Sequence, residues 1–118
     1  MSNSPNKTQA DTMKVLIVDD SFLMRRIIRN ILEKDSSLEV VGEASDGVIA
    51  LEKVAELAPD IILLDIEMPN MDGIEFLRRA KLVTSAKVII ISSVARIDSK
   101  EAREVLELGA ADIIPKPS

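Results

Sequence analysis

The 118-residue sequence contains no cysteine, histidine, tryptophan or tyrosine, and only two phenylalanines. The absence of cysteine excludes disulfide bonds and thiolate metal sites. The absence of histidine excludes histidine acid–base catalysis, Ser-His-Asp triads, imidazole metal ligands and a role as a phosphohistidine carrier. If the chain binds a metal, oxygen atoms must be its ligands, and these favour hard cations such as Mg²⁺ or Ca²⁺.

Basic segments and long apolar segments are also missing. The net charge is −5, and no run of lysine and arginine is long enough to follow a nucleic-acid backbone. Nucleic acid is therefore not an expected partner. No apolar stretch approaches the roughly 20 residues that cross a bilayer, so no membrane span is expected either. These absences together lead us to expect a cytoplasmic protein.

The length is typical of one domain, and the 47% of hydrophobic residues is enough for a core. The first dozen residues, MSNSPNKTQADT, are polar and carry no apolar region of the kind found in signal peptides. Residues 1–12 are therefore predicted to be a disordered tail, and residues 13–118 a single domain.

Short apolar runs rich in β-branched residues predict five strands. Three of these are nearly unbroken, as in a parallel sheet covered on both faces: Lys14–Val18, Ile61–Asp65 and Lys87–Ser92. The other two have the features of edge strands. Leu38–Ala44 alternates in part, with Leu38, Val40, Gly42 and Ala44 on one face and Glu39, Val41 and Glu43 on the other. Asp112–Ile114 is short and is stopped by Pro115.

Helical patterns separate the strands, at Ser21–Lys34, Gly47–Leu57, Gly73–Val83 and Ser99–Leu108. The first places Leu23, Ile27 and Ile31 on one apolar stripe, with Met24, Ile28 and Leu32 beside it. The last two follow Asp72 and Asp98, each with a glutamate three residues on, which is a helix-start signal. Strict alternation of strand and helix predicts a doubly wound α/β fold with right-handed crossovers. The flavodoxin-like sheet order 2-1-3-4-5 puts both edge-like strands at edges.

In such a sheet, ligands bind beyond the carboxyl ends of the strands, where the strand order reverses. Five polar residues follow or end strands at this edge: Asp19 and Asp20 after strand 1, Asp65 on strand 3, Ser92 on strand 4 and Lys116 after strand 5. Three neighbouring carboxylates repel one another, and a divalent cation such as Mg²⁺ would relieve the conflict. A carboxylate beside such a cation can also act as a nucleophile towards phosphorus.

Each of these residues also has a plainer interpretation. Asp19 or Asp20 could be the N-cap of the first helix, and Asp65 a turn residue. Lysines and serines at strand ends are common. The joint placement of all five on one edge is what favours a site. Other acidic sites fit less well: an EF-hand loop starting at Asp65 lacks the required Gly and Glu, and no tryptophan or tyrosine is present to stack on a sugar.

At these residues the sequence resembles a bacterial response-regulator receiver domain, over Met13 to Ser118. The resemblance is carried by VDD (18–20), DIEMPNMDG (65–73), ISS (91–93), the LGA-x-D turn (108–112) and PKP (115–117). It implies that Asp65 accepts a phosphoryl group from the phosphohistidine of a histidine kinase or its phosphotransfer domain. It also implies that Asp19 and Asp20 hold Mg²⁺ together with Asp65 and the backbone carbonyl of Glu67.

Within this family, Ser92 would be the switch hydroxyl and Lys116 the lysine that contacts the phosphoryl group. DIEMPNMDGIEFL, ISSVA and GAADIIPKPS resemble the receiver of the chemotaxis protein-glutamate methylesterase and related stand-alone chemotaxis regulators.

Two departures from the family pattern stand out. Ile113 occupies a position that is usually Tyr or Phe, so the usual aromatic switch cannot operate. A fifth helix usually follows the PKP loop in this family, but the sequence stops at Ser118, so we expect either a truncated chain or a partner that covers the gap. Without that helix, apolar surface on the first helix and the sheet should be exposed.

Three further expectations concern single residues. The Glu67 side chain is either a solvated loop residue or lies where it slows water attack on the phosphorylated form. Arg25, Arg26 and Arg29 form a basic patch on the first helix, either a solvated face or a surface for the kinase phosphodomain. Phe22 and Phe76 are expected to be packing residues.

These observations favour a signalling module that catalyses only its own phosphotransfer and dephosphorylation and switches the binding of a downstream target protein, with Ser93–Ser99 as the moving segment. Three alternatives stay open. The chain could be a phosphate sink without output, or the regulatory fragment of a chemotaxis methylesterase. It could also be an aspartate-nucleophile phosphatase, although that class has Asp where this chain has Glu67.

Overall fold

The structure, a computed structural model, describes residues 12–68 and 73–117. The five strands are β1 (Met13–Val18), β2 (Leu38–Ala44), β3 (Ile61–Asp65), β4 (Lys87–Ser92) and β5 (Asp112–Pro115). The four α-helices within the described ranges are α1 (Phe22–Leu32), α2 (Gly47–Leu57), α3 (Gly73–Ala80) and α4 (Lys100–Glu107), with a 3₁₀ turn at Val94–Arg96. None of the helices in these ranges is long and apolar enough to cross a membrane. The predicted tail, apart from Thr12, and the predicted cap Asp72 lie outside the described residues.

The sheet confirms the predicted fold. Neighbouring strands are all parallel, and their order is β2-β1-β3-β4-β5. β1 and β3 lie side by side at the centre, with Val18 opposite Leu64. Because all five strands run the same way, their carboxyl ends meet at one edge of the sheet.

The two faces of the sheet are covered unequally. One face packs against α2, α3 and α4, around the fully buried Phe76 and Leu77. The other packs against α1 through Ile28. Beside α1 lies an open apolar groove of about 190 Å³. Its lining residues are Ile28, Ile31, Leu32, Leu63, Ile91, Ile114, Pro115 and Pro117. The groove confirms the expected exposure of apolar surface on the first helix and the sheet.

Several element boundaries differ from the prediction. The N-cap of α1 is Ser21, whose hydroxyl accepts from the Met24 amide at 3.1 Å, and not Asp19 or Asp20. The N-cap of α4 is likewise Ser99 rather than Asp98. In each case the serine stands directly before the first helical residue, where its side chain reaches the third amide of the helix.

β5 also ends later than predicted, because Pro115 belongs to it and pairs with Ser92. A proline is tolerated there because β5 is an edge strand and needs bonds on one side only.

β2 does not keep the simple alternation that its sequence suggests. The pairing of β1 with β2 shifts by one residue, from Val15 opposite Val40 to Leu16 opposite Gly42. One extra residue in a strand reverses which face the following side chains occupy. Val40 therefore packs on the α1 side, whereas Ala44 packs on the α2 side. The predicted shared face for these residues is wrong, and Glu43 is turned towards α1 instead.

The packing of α1 and of the two phenylalanines is only partly as expected. Met24, Ile28 and Leu32 form the stripe of α1 that contacts the sheet, whereas Leu23 is 69% exposed. Phe76 is buried as predicted. The prediction for Phe22 is wrong, because it is 65% exposed, with the guanidinium groups of Arg25 and Arg26 5.7 and 5.9 Å from its ring centre.

We expect the substitution Ala58→Gly to raise the free energy of unfolding by up to about 1 kcal/mol. Ala58 ends α2 in the left-handed region, with φ 47° and ψ 60°. A residue with a Cβ is strained in this region, whereas glycine adopts it freely. Part of the gain is lost because glycine has more freedom in the unfolded chain. Urea unfolding at pH 7 measures the change. The exposed Ala111, which does not have a positive φ, is the control: Ala111→Gly should lower stability.

Candidate functional site

Three carboxylates meet at the carboxyl edge of the sheet. Asp19 and Asp20 directly follow β1, and Asp65 is the last residue of the adjacent β3. Each contributes one carboxylate oxygen to a group in which all three atoms lie within 4.8 Å of one another. Asp19 and Asp65 are both about 1% exposed, whereas Asp20 is exposed to solvent. The sequence prediction that these acids converge is confirmed.

Asp65 is held through one carboxylate oxygen only. Its Oδ1 accepts from the Glu67 amide at 3.1 Å and lies 3.4 Å from Lys116 Nζ. Its buried Oδ2 finds no hydrogen-bond partner among the described residues. Burial, with a further contribution from Asp19, raises the pKa of the Asp65 carboxyl from 3.8 to about 6, although the Glu67 amide and Lys116 oppose the rise.

Asp19 has a similar environment. Its Oδ1 accepts from the Ser21 amide at 2.8 Å, and its buried Oδ2 has no hydrogen-bond partner within the part of the chain that the structure describes. Burial and the neighbouring Asp20 raise the pKa of the Asp19 carboxyl, against the lowering effect of the Ser21 amide and Lys116. Two buried acids thus hold negative charge at a cost that their protein contacts do not offset.

The arrangement fits a divalent cation. Buried polar atoms are nearly always partnered in native proteins, so two partnerless carboxylate oxygens at one place fit a positively charged ligand. Oxygen atoms within 4.8 Å of one another can coordinate one ion, and carboxylates suit Mg²⁺. The exposed Asp20 keeps one side of the cluster in contact with solvent. The role of the Glu67 carbonyl as a further ligand stays a prediction.

Lys116 and Ser92 join the same edge from β5 and β4. The Lys116 amide donates to the Ser92 carbonyl at 2.8 Å, which ties the PKP loop to the end of β4. The Ser92 side chain is fully buried, and its hydroxyl donates to the Ser93 carbonyl at 3.1 Å. All five predicted site residues therefore lie at the carboxyl edge of the sheet.

Gly73 lets α3 begin immediately beside the site. A Cβ at this position would lie 3.0 Å from the Ile66 Cα and carbonyl oxygen and 3.1 Å from the Asp65 carbonyl oxygen. Such contacts are tighter than ordinary packing, and backbone atoms cannot easily move away. The absence of a side chain at Gly73 allows the start of α3 to pack against the end of β3.

The Glu67 side chain is part of an ion-pair chain beside the site. It accepts from Arg96 of the 3₁₀ turn at 2.9 Å, and Arg96 also pairs with Glu101 of α4. The Glu67 side chain is therefore exposed to solvent and paired with Arg96, and its effect on water attack stays a prediction. These residues border an open cavity of about 450 Å³, lined by Asp20, Ile66, Glu67, Met68, Ile74, Arg96 and Glu101. The cavity lies directly beside the exposed Asp20.

Two sets of contacts near the site are not predicted by the sequence. Arg96 links the loop after β3 to α4, although 29 residues separate it from Glu67. Arg25 and Arg29 are not a free basic patch, because both pair with Glu43 of β2 at 2.9 and 2.7 Å. No local pattern predicts either contact. The second depends on the shifted pairing of β2.

Comparisons with protein families and with curated proteins agree on the family to which this chain belongs. Residues 15–118 match the response regulator receiver domain. The protein-glutamate methylesterase/protein-glutamine glutaminase of Halalkalibacterium halodurans is 50% identical over 106 residues, which are 90% of this chain and 31% of the relative. The protein-glutamate methylesterase/protein-glutamine glutaminase 2 of Koribacter versatilis is 46% identical over 105 residues, which are 89% of this chain and 29% of the relative. The chain thus spans 31% and 29% of the length of these two curated relatives.

Solved structures agree in fold. The response regulator domain of Thermotoga maritima CheB superposes with a TM-score of 0.84 at 42% identity, covering 90% of this chain and 79% of that chain. A chain in the crystal structure of the P1 domain of CheA3 in complex with CheY6 from R. sphaeroides gives a TM-score of 0.80 at 47% identity, covering 92% and 84%.

Proposed function

The chain belongs to the response regulator receiver domain family, and from this premise we propose that it accepts a phosphoryl group on Asp65 in a chemotaxis-type signalling pathway. One observation carries the assignment of the acceptor. Asp65 is a buried carboxylate with one oxygen held by the Glu67 amide and Lys116 and the other partnerless among the described residues, beside two further acids. Asp19 likewise has a partnerless oxygen among the described residues, so the contact with Lys116 at 3.4 Å is what singles out Asp65, and a carboxylate in this position can act as a nucleophile.

The proposed reaction uses the residues at the edge of the sheet. The Asp65 carboxylate attacks the phosphorus of a phosphohistidine, a new O–P bond forms as the P–N bond breaks, and the imidazole leaves with the bonding electron pair. Mg²⁺, held by Asp19, Asp20 and Asp65, would neutralise negative charge on the phosphoryl oxygens. Lys116 already lies 3.4 Å from Asp65 Oδ1, so it can pair with the transferred group.

Ser92 is the proposed sensor of the phosphorylated state. Its hydroxyl donates to the Ser93 carbonyl, and rotation of the side chain would let it donate to a phosphoryl oxygen instead. The segment that follows includes the 3₁₀ turn, whose Arg96 pairs with both Glu67 and Glu101. A shift of this segment would change the face presented by α4 to a target protein.

The proposed phosphodonor is a histidine kinase or its phosphotransfer domain. The 118 residues contain no histidine, so the phosphohistidine must lie outside them. A complex with the P1 domain of CheA3 is known for one 47%-identical neighbour, which supports a partner of this kind here. The domain would then be a signalling module that catalyses only its own phosphorylation and dephosphorylation.

A second candidate is that this receiver regulates a methylesterase. The observation that favours it is the 46% and 50% identity to methylesterases, whose receiver portion this chain matches. A reading frame that continues beyond Ser118 into an esterase domain would support this candidate. A frame that ends there, together with phosphorylation-dependent binding to a separate target protein, would contradict it.

The proposed function predicts a metal-dependent phosphorylation that intact-mass spectrometry can follow. With Mg²⁺ and acetyl phosphate, the chain should gain one phosphoryl group, and with a chelator in place of Mg²⁺ it should gain none. Borohydride reduction of the acyl phosphate and peptide mapping should locate the modification at Asp65. The exposed Asp112→Asn variant is the matched control and should react like the parent chain. Equal incorporation with and without metal, or modification at another residue, would refute the assignment.

A further inference from the structure

Arg25 of α1 contacts the loop that carries two of the three site acids. Its Nη1 donates to the Asp19 backbone carbonyl at 2.6 Å, and its Nε donates to Glu43 Oε1 at 2.9 Å. The Arg25 side chain is only 13% exposed. A guanidinium can make two such bonds at once because its donors are fixed in one plane.

Glu43 holds this arginine in place. Its second oxygen accepts from Arg29 Nε at 2.7 Å, so one carboxylate joins two arginines on successive turns of α1. Burial opposes charge on Glu43, but the hydrogen bonds from Arg29 and Arg25 hold the pKa of its carboxyl below the ordinary 4.5. Glu43 therefore stays ionised and fixes the direction in which Arg25 extends.

The irregularity in β2 is what brings Glu43 to α1. Val40, before the shift in pairing, faces α1, and a regular strand would turn Glu43 to the opposite face. The extra residue reverses this order, so that Glu43 lies opposite Ile17 and points towards α1. Bulges near functional sites often re-aim a single side chain in this way.

The backbone of Asp19 is fixed on both sides by these contacts. Its amide donates to the Ala44 carbonyl at 3.0 Å, and its carbonyl accepts from Arg25. Its Oδ1 accepts from the Ser21 amide, which leaves Oδ2 buried and without a partner in the described ranges. With three of its polar groups held, Asp19 has little freedom to move this remaining oxygen.

We propose that Arg25 is a positioning residue for the divalent-cation site, anchored by Glu43, which holds Asp19 and Asp20 in the geometry that binds the ion. The inference rests on the proposed function, since it assumes that the acid cluster binds Mg²⁺. Residues that orient metal ligands from behind commonly change metal affinity by about 10- to 100-fold when they are replaced. Arg25 acts on the ligands through the backbone and does not itself coordinate the ion.

Isothermal titration of Mg²⁺ into the unphosphorylated chain tests the proposal without using its activity. Arg25→Lys keeps the positive charge but cannot reach both Asp19 and Glu43 with a planar fork, and we expect about 10-fold weaker Mg²⁺ binding. Glu43→Gln keeps the shape of the anchor and should also weaken binding. The double variant should bind no more weakly than Arg25→Lys alone, because both changes disrupt one contact.

Matched controls come from the same helix. Arg26→Lys changes a neighbouring exposed arginine, and Glu33→Gln removes the other partner of Arg29, so both should bind Mg²⁺ within twofold of the parent chain. Thermal unfolding in chelator verifies that each variant is folded. A folded Arg25→Lys with unchanged Mg²⁺ affinity, but a lower unfolding temperature, would overturn the proposal and leave Arg25 a purely structural residue.

Parallel phosphorylation by acetyl phosphate separates the two proposals. A parent chain that is phosphorylated, with Arg25→Lys binding Mg²⁺ normally, overturns only the positioning role. A parent chain that binds Mg²⁺ but is never phosphorylated overturns only the proposed function. In the positioning case, the Mg²⁺ concentration that gives half the maximal rate should rise in Arg25→Lys, whereas the rate at saturating Mg²⁺ should stay close to that of the parent.

Discussion

Asparagine in place of Asp65 is expected to abolish phosphorylation and, in the absence of Mg²⁺, to make the domain more stable at neutral pH. The first effect follows because an amide cannot replace the carboxylate as nucleophile. The second follows because the native Asp65 is a buried carboxylate with a partnerless oxygen in the described structure and an acidic neighbour, Asp19. A rise in pKa from 3.8 to about 6 corresponds to about 3 kcal/mol of destabilisation of the ionised form.

The pH dependence has a definite sign. The folded protein binds the Asp65 proton more tightly than the unfolded chain, so the contribution of this group to stability is complete below about pH 3.8. It is lost as the pH rises through about 6. The free energy of unfolding of the parent chain, relative to Asp65→Asn, should therefore fall by up to about 3 kcal/mol between about pH 4 and pH 7.

Urea unfolding in chelator, from pH 4 to pH 7.5, measures this difference. Asp112→Asn, at an exposed carboxylate, should show no comparable change relative to the parent chain. Saturating Mg²⁺ should reduce the advantage of Asp65→Asn, because the ion stabilises only a folded state that can coordinate it. An Asp65→Asn variant that is less stable than the parent at pH 7 in chelator would show that the ionised Asp65 carboxylate does not destabilise the folded domain.

Removal of the Lys116 charge is expected to slow phosphorylation by about 100-fold. Lys116 Nζ lies 3.4 Å from Asp65 Oδ1, where it offsets part of the negative charge of the acid cluster. Lys116→Met removes this charge but keeps the length of the side chain. Preorganised charges at a reacting centre commonly contribute a factor of about 10² to 10³ to the rate. The pKa of Asp65 should also rise further, because Lys116 lowers it.

The rate of phosphoryl incorporation from acetyl phosphate at saturating Mg²⁺ measures the effect. Lys87→Met is the matched control, since Lys87 is exposed at the opposite end of the sheet, at the start of β4. Its rate should equal that of the parent chain. If Lys116→Met reacts within threefold of the parent while folding normally, Lys116 does not stabilise the transferred group.

The agreement between sequence and structure is closest where a rule is local or topological. β3 and α2 have the predicted bounds because unbroken apolar runs and a clear start and stop define them. Differences arise where two neighbouring side chains could each cap the same helix. Ser21 and Ser99 cap their helices in preference to the aspartates before them, since cap geometry depends on one residue of register. Phe22 is exposed, although an aromatic side chain is usually buried, because α1 packs on the sheet through a different stripe of residues.

The sequence by itself determined the fold and the five residues at the site edge, with Asp65 at their centre. Strict strand–helix alternation and the handedness of crossovers send all strand ends to one edge, so local patterns are sufficient for that result. The tertiary structure alone decided how the site is supported. The shifted pairing in β2 turns Glu43 towards Arg25, and contacts across 18 residues then hold the Asp19 backbone. Such contacts depend on the three-dimensional register between β1 and β2, which no local sequence pattern encodes.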